Sequence, residues 1–508
     1  MAGYELLLKQ NPTYLKTKDL AQDFAKYGVY PDSVQTAAGS IFFIARGDDQ
    51  KVLVVSGPKK ITDKFEGEVI EGVENAVACA LNMANYEVMK SYFPYMTPVS
   101  HKARSISFGL GDRLGLASAG HLRLMKEHPQ VFPVIAQQSM RELNLTGRTY
   151  ELVLMDAAWA VFQEGFTTGF GADGDHLKLA KEVQYALDCG FTMITLDCSE
   201  NIDNDAYALD LNGLKAKYLM LDAQYRKAME AKYLDQTIVL KNGVEIPFSE
   251  ELYYQTVVVY SKAIDFAAHI FFDIIEPCPR HIDFEVSIDE TLVETEPAAH
   301  YIVANELIER GVDITSVAPR FVGEFQKGVD YMGDIAQFEK DFELHERIAE
   351  HFGYKISVHS GSDKFSVFPI VGEKTGGRYH IKTAGTNWLE FARLIAVSDA
   401  ELFRRIYKYA LEVFDEACKF YHVSGKKENC PDIDTLDPEK FGELFDVENV
   451  DTRQLMHITY GYILTAKNED GSSRFKDDMY ALGYRCEEKY YELLKKHIGR
   501  HVSTLGIQ

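Results

Sequence analysis

Short apolar runs alternate with helical periodicities through the middle of the chain. Apolar strand candidates fall at Ser105–Gly111, Val131–Gln138, Phe191–Ser199, His281–Asp289, Asp313–Phe321, Tyr354–Ser362 and Tyr379–Gly385, with a weaker one at Phe166–Ala172. Between many of them, apolar residues recur at i, i+3 and i+4, as in Leu177–Leu187, Ala298–Arg310 and Ile335–His351. About eight strands alternating with helices predict an α/β chain built on a (β/α)8 barrel of the TIM type. A doubly wound open sheet is the alternative, but no GxGxxG follows an early strand to support it.

The flanks read differently. Ser40–Arg46 and Lys51–Ser56, around Gly47-Asp48-Asp49, predict a β-hairpin. Lys64 to Met96 carries Ala and Met at helical spacing and reads as helix. Residues 1–100 are therefore an N-terminal α+β segment, and 101–390 the barrel. The stretch Asn201–Pro279 is too long for a simple βα link, so a helical insertion is expected at about 201–279. Residues 391–508 read as C-terminal helices packed on the barrel; Asn387–Glu416 and Glu487–His497 carry the helical spacing.

Composition narrows the function classes. The 508 residues include 54 Lys plus Arg against 77 Asp plus Glu, a formal charge of −23. That argues against a nucleic-acid surface, which needs clustered cations. At 46% hydrophobic residues the chain has ample material for a core. Its seven cysteines are scattered, odd in number and without a CxxC pair. A zinc ribbon or disulfide framework is not expected, and a reducing cytoplasm fits better. The start, MAGYELLLKQNPTYLK, lacks a basic segment followed by a long apolar run, and no stretch approaches about 18 apolar residues. Neither a signal peptide nor a membrane span is expected.

In such a barrel, functional groups gather at the C-terminal ends of the strands. Polar clusters follow most of the runs: Gly111-Asp112-Arg113, Gln137-Gln138, Asp173-Gly-Asp-His176, Glu285 with Asp289, Arg320 with Glu324, His359 with Lys364, and His380 with Lys382. His359 and His380 end consecutive runs, and neighbouring strands lie about 4.8 Å apart, so both imidazoles can reach one ion. His176, beside Asp175, is expected to open a helix after the third strand. Three histidines and a carboxylate suit a divalent transition metal with open positions; taken singly, each histidine is as well explained as a core or loop residue. Arg320 and Lys364 can grip an anion or form salt bridges between loops. Asp175, Glu285 and Glu324 are candidate acid/base groups. Gly111-Asp112-Arg113-Leu114-Gly115 and Gly361-Ser362-Asp363-Lys364 resemble phosphate loops in composition but lack the P-loop pattern.

Seven segments together resemble the tagaturonate epimerase family. They are Gly111–Gly115, Trp159–Gly165, Asp173–His176, Ala318–Gly323, Lys327–Tyr331, Ser357–Phe365 and Lys382–Asn387. The resemblance spans about residues 105–390, and the motif around His359 is its most specific part. It implies a cytoplasmic carbohydrate isomerase that interconverts tagaturonate and fructuronate, with relatives acting as fructose/tagatose 4-epimerases. It implies a divalent cation (Mn, Fe, Co, Ni or Zn) on His176, His359 and His380. Asp175 would transfer protons, with Glu285 and Glu324 competing for the second such role. Arg113, Gln138, Arg320 and Lys364 would bind a keto-hexuronate or ketohexose, and a homo-oligomer is allowed for. The two uronates differ at a carbon β to the ketone, whose proton is not acidic, so retro-aldol cleavage and re-addition is the expected route. Another metal-dependent barrel aldolase or hydrolase acting on sugars, and a non-catalytic sugar-binding barrel, are the other readings.

Overall fold

A computed structural model of the chain describes residues 3–10 and 24–507. The N-terminal stretch read above for a leader lies partly outside them. No helix among the described residues is long and apolar enough to cross a membrane. The chain divides into two compact units, one of Met1–Val99, Leu110–Gly171 and Thr386–Gly499, the other of Ser100–Gly109, Ala172–Gly385 and Arg500–Gln508.

Eight strands close a barrel: β1 Ile106–Gly109, β2 Val131–Ser139, β3 Gly171–Leu177, β4 Met193–Asp197, β5 Asp283–Ile288, β6 Ser316–Pro319, β7 Lys355–Val358 and β8 Tyr379–Lys382. They run in chain order around the barrel, β8 pairing in parallel with β1. This is the expected α/β barrel. The third strand is displaced, lying at Gly171–Leu177 and not at Phe166–Ala172. Asp173-Gly-Asp-His176 therefore sits within the strand, and the following helix begins only at Ala180. The register of β3 on β4 shifts between Gly174 and Leu177, where β3 carries one extra residue. His176, at that bulge, has φ +51°, the left-handed region that side chains other than glycine seldom adopt.

In the first unit the hairpin Ser40–Arg46/Lys51–Ser56 is present and antiparallel. It is the centre of a five-stranded sheet, Gln35–Ala37, Ser40–Arg46, Lys51–Ser56, Ala76–Ala80 and Gly67–Val69 in that order. Two of these strands occupy the segment read as helix from Lys64; the helix there spans only Met83–Tyr92. The period-2 rule explains the sheet's two faces. Ile41, Phe43 and Ala45 join Tyr4, Leu8, Phe24 and Val54 in one apolar cluster. Phe42, on the other face, meets Phe65, Tyr92 and Phe93.

The C-terminal region is helical from Gly385–Ser398 to Glu487–Thr504. Ala400–Ala417 shows why: Leu402, Phe403, Ile406, Tyr407, Ala410, Phe414 and Ala417 form one buried stripe, and the Asp399 side chain accepts from Leu402 N at the start. The insertion is mainly helical, with Leu211–Tyr218, Ala223–Tyr233 and Glu250–Ile270, but also holds a small hairpin, Thr237–Val239 with Glu245–Pro247.

The loop after β1 is fixed by one side chain. Asp112 accepts backbone N–H bonds from Leu114, Gly115, Leu116, Ala117 and Ser118 at 2.6–3.2 Å, plus the Ser118 hydroxyl at 3.1 Å. Ser139, ending β2, caps the helix Met140–Thr146 in a capping box with Glu142.

Candidate active site

Inside the barrel, apolar strand residues face outward and polar ones meet in the interior. The polar residues alternate: Asp173 and Asp175; Thr195 and Asp197; Asp283, Glu285 and Ser287; Lys355, Ser357 and His359; His380 and Lys382.

Lys382 is the hub. Its Nζ lies 2.6 Å from Asp175 Oδ1, 2.6 Å from Thr195 Oγ1, 3.0 Å from Glu285 Oε1 and 3.1 Å from Asp173 Oδ2. Burial works against its charge, but Asp173, Asp175 and Glu285 hold the ammonium well above its usual range. The carboxylates respond unequally. Burial would raise Asp175 and Glu285, yet Lys382 and the nearby imidazoles hold both well below the usual carboxylate range. Asp173 is pushed up to about 6 by burial, Lys382 opposing and the other two carboxylates adding to it.

At the mouth, His176 on β3, Asp289 just past β5 and His359 just past β7 each offer one ligand atom, all within 4.8 Å of one another. The two imidazole centroids are 4.8 Å apart. His359 is held from both sides, Nδ1 3.0 Å from Asp289 Oδ2 and Nε2 2.7 Å from Glu285 Oε1. Burial lowers its basicity, but the carboxylates outweigh it and push His359 up to about 10. His176 is also raised against burial, by Asp175 and by Asp197, whose Oδ2 lies 3.5 Å from Nδ1. The donor set thus fits a divalent cation. Two imidazoles and a carboxylate converge, a donor set that suits such an ion.

His380 is not one of these three, although it lies close enough to Glu285, Lys382 and His359 to feel their charges. It is the second residue of β8, and its Nδ1 is 2.9 Å from the Ser107 hydroxyl. Lys355 Nζ is 3.0 Å from the same hydroxyl and 2.7 Å from His101 Nδ1, so Ser107 receives from lysine and donates to His380. That places the ring proton on Nε2, an atom buried with no protein partner. Burial lowers His380 to about 3 and Lys355 to about 8.

The other residues singled out in the sequence spread further. Glu324 sits in the loop after β6, its backbone bridged to Met332. Arg320 donates to the Thr291 carbonyl. Lys364 donates to the carbonyls of Gln326, Val329 and Ser362 at 2.6–2.9 Å, tying two loops together. In the other unit, Arg113 pairs with Glu142 through Nε and Nη2 and stacks on Tyr460, while its buried Nη1 has no protein partner. Gln138 is fully buried, and neither atom of its amide has a partner. Asp173, Thr195, Asp289 and Lys382 complete the cluster beyond the residues given a role from the sequence. The period-2 recurrence of polar residues within single apolar runs is the signal that points to them.

Residues 30–505 match a family described as UxaE, tagaturonate epimerase. The chain belongs to the tagaturonate epimerase family. It is an isomerase of that kind, an epimerase of carbohydrate metabolism. It is 40% identical over 488 residues to the tagaturonate/fructuronate epimerase of Thermotoga maritima, covering 94% of this chain and 97% of that one. It is 46% identical to the crystal structure of fructuronate-tagaturonate epimerase UxaE from Cohnella laeviribosi, with a TM-score of 0.91 over 94% of this chain and 96% of that one. A glycerol complex of the same Cohnella enzyme matches equally well.

Proposed function

We propose that this chain interconverts D-tagaturonate and D-fructuronate by retro-aldol cleavage and re-addition, assisted by a divalent metal on His176, His359 and Asp289. One observation carries the reading. Two buried carboxylates, Asp175 and Glu285, share one ammonium beside a His/Asp triad at the mouth of the barrel.

Bound to the triad, a divalent cation would act as a Lewis acid toward the ketone and its neighbouring hydroxyl. The chain's own groups do the rest. Asp175, anchored by Lys382, takes the proton of the β-hydroxyl as the adjacent C–C bond breaks to an aldehyde and an enediolate. The aldehyde turns to present its other face, and re-addition gives the epimer. Glu285 is the second acid/base group, serving the opposite face. Arg113 and Gln138 are proposed as ligand-binding groups of the other unit, because each carries a buried polar atom that no protein group satisfies. A guanidinium with a free N–H favours the carboxylate of a uronate over a neutral hexose.

The test is an NMR time course. Protein stripped by chelator is reloaded separately with manganese, iron, cobalt, nickel or zinc, then given tagaturonate or fructose. Epimer is expected only in reloaded samples, and faster from tagaturonate. Epimer at full rate in the stripped protein would reject the metal. Three-carbon products in place of epimer would make the chain an aldolase.

A further inference from the structure

The contacts of Lys382 go beyond neutralising a buried acid. One N–H reaches Asp175 and one reaches Thr195, each at 2.6 Å; the third faces Glu285 and Asp173 at 3.0 and 3.1 Å. Thr195 accepts from Lys382, so its own proton goes to Asp173 at 3.0 Å or to Glu285 at 3.1 Å. These partners stand on β3, β4 and β5, and Lys382 itself on β8. A single group thereby ties four strands at the level of the acid/base groups. Ammonium geometry suits the task. Its three donors diverge toward separate acceptors, whereas a guanidinium presents a planar fork.

We propose that Lys382 is a positioning residue for the epimerisation. It holds Asp175 and Glu285 in fixed relation through one ammonium and the hydroxyl of Thr195. The inference rests on the reading of those two carboxylates as the proton-transfer groups. The rival account makes Lys382 only a counter-ion that lets Asp173 be buried.

Three variants separate the accounts. Lys382→Met keeps the stem and removes the charge. It is expected to lower kcat by about 10- to 100-fold, with KM within about threefold and metal content unchanged. Adding Asp173→Asn removes the one of the three buried carboxylates around Lys382 that is not an acid/base group, and with it the burial cost that the rival account assigns to the lysine. The double variant is expected to regain melting temperature without regaining kcat. Recovery of kcat to within about threefold of the parent would leave Lys382 as a counter-ion and overturn the proposal. Thr195→Val is isosteric and removes only the hydroxyl link, so it decides the matter even if Lys382→Met does not fold. A kcat fall of about 10-fold is expected, and an unchanged kcat would also overturn the proposal. The parent protein is assayed alongside. No epimerisation by the parent would reject the underlying functional reading, whereas an active parent with an equally active Thr195→Val rejects this inference alone.

Discussion

Nε2 of His359 lies 2.7 Å from Oε1 of Glu285, a residue 74 positions earlier in the chain. The contact joins the end of one barrel strand to the interior of another and fixes the imidazole ring. Glu285→Gln keeps the shape and removes the charge. It is expected to lower kcat by about 100-fold or more, with a smaller change in KM, as for loss of an acid/base group. Steady-state kinetics on both uronates would show it. A kcat within a few-fold of the parent would remove Glu285 from the proton-transfer pair.

The triad makes a separable prediction about metal. His176→Ala, His359→Ala and Asp289→Ala should each lose most bound metal on dialysis, measured by elemental analysis. His380→Ala should keep it, because Ser107 occupies Nδ1 and sets the proton on Nε2. Loss of metal from the His380 variant with retention in the Asp289 variant would exchange their places.

Arg113 should discriminate between acid and neutral sugar. For Arg113→Ala, kcat/KM on tagaturonate is expected to fall about 10-fold or more beyond the fall on fructose. The ratio between substrates cancels any loss of folded protein caused by leaving Glu142 buried alone. Equal falls on both sugars would limit Arg113 to its pairing with Glu142.

A pH effect on stability is expected away from the site. Glu346, on the helix Ile335–Phe352, is pushed up to about 7 by burial, with Arg347 opposing and Glu350 and Glu343 adding to it. Arg347 Nη1 is 3.8 Å from Oε2, too far for a hydrogen bond. A carboxyl raised in the folded state binds its proton more tightly there than in the unfolded chain. Its contribution is complete below the unfolded value near 4.5 and is lost as pH rises through about 7. Glu346→Gln should therefore gain about 1–2 °C in Tm on the parent between pH 5 and pH 8. An identical pH dependence of Tm in both proteins would contradict this.

The barrel was legible because seven of its strands keep apolar residues on the outward face. The third was misplaced by several residues because Asp173-Gly-Asp-His176 puts charge where a strand is expected to be apolar. The polarity that hid the strand is what fills the interior. The Lys64–Met96 segment misled for a different reason. Its Ala-rich stretch is compatible with helix, and only pairing with Lys51–Ser56 makes Ala76–Ala80 a strand. Among candidate residues, position along the chain could not tell His380, low in β8, from His359, just past the end of β7. Strand ends are set by pairing partners remote in sequence. Asp289 was visible as a neighbour of Glu285, but only the packing brings it to His359.

Asp112 has a bearing on how the loop after β1 is set. Five consecutive backbone N–H groups converging on one point, at the start of a helix, would ordinarily cradle a phosphate. Here a carboxylate from the same loop occupies that cradle permanently. The five donors of this loop are thus satisfied from within the chain, and the turn that opens the helix is set before any ligand arrives.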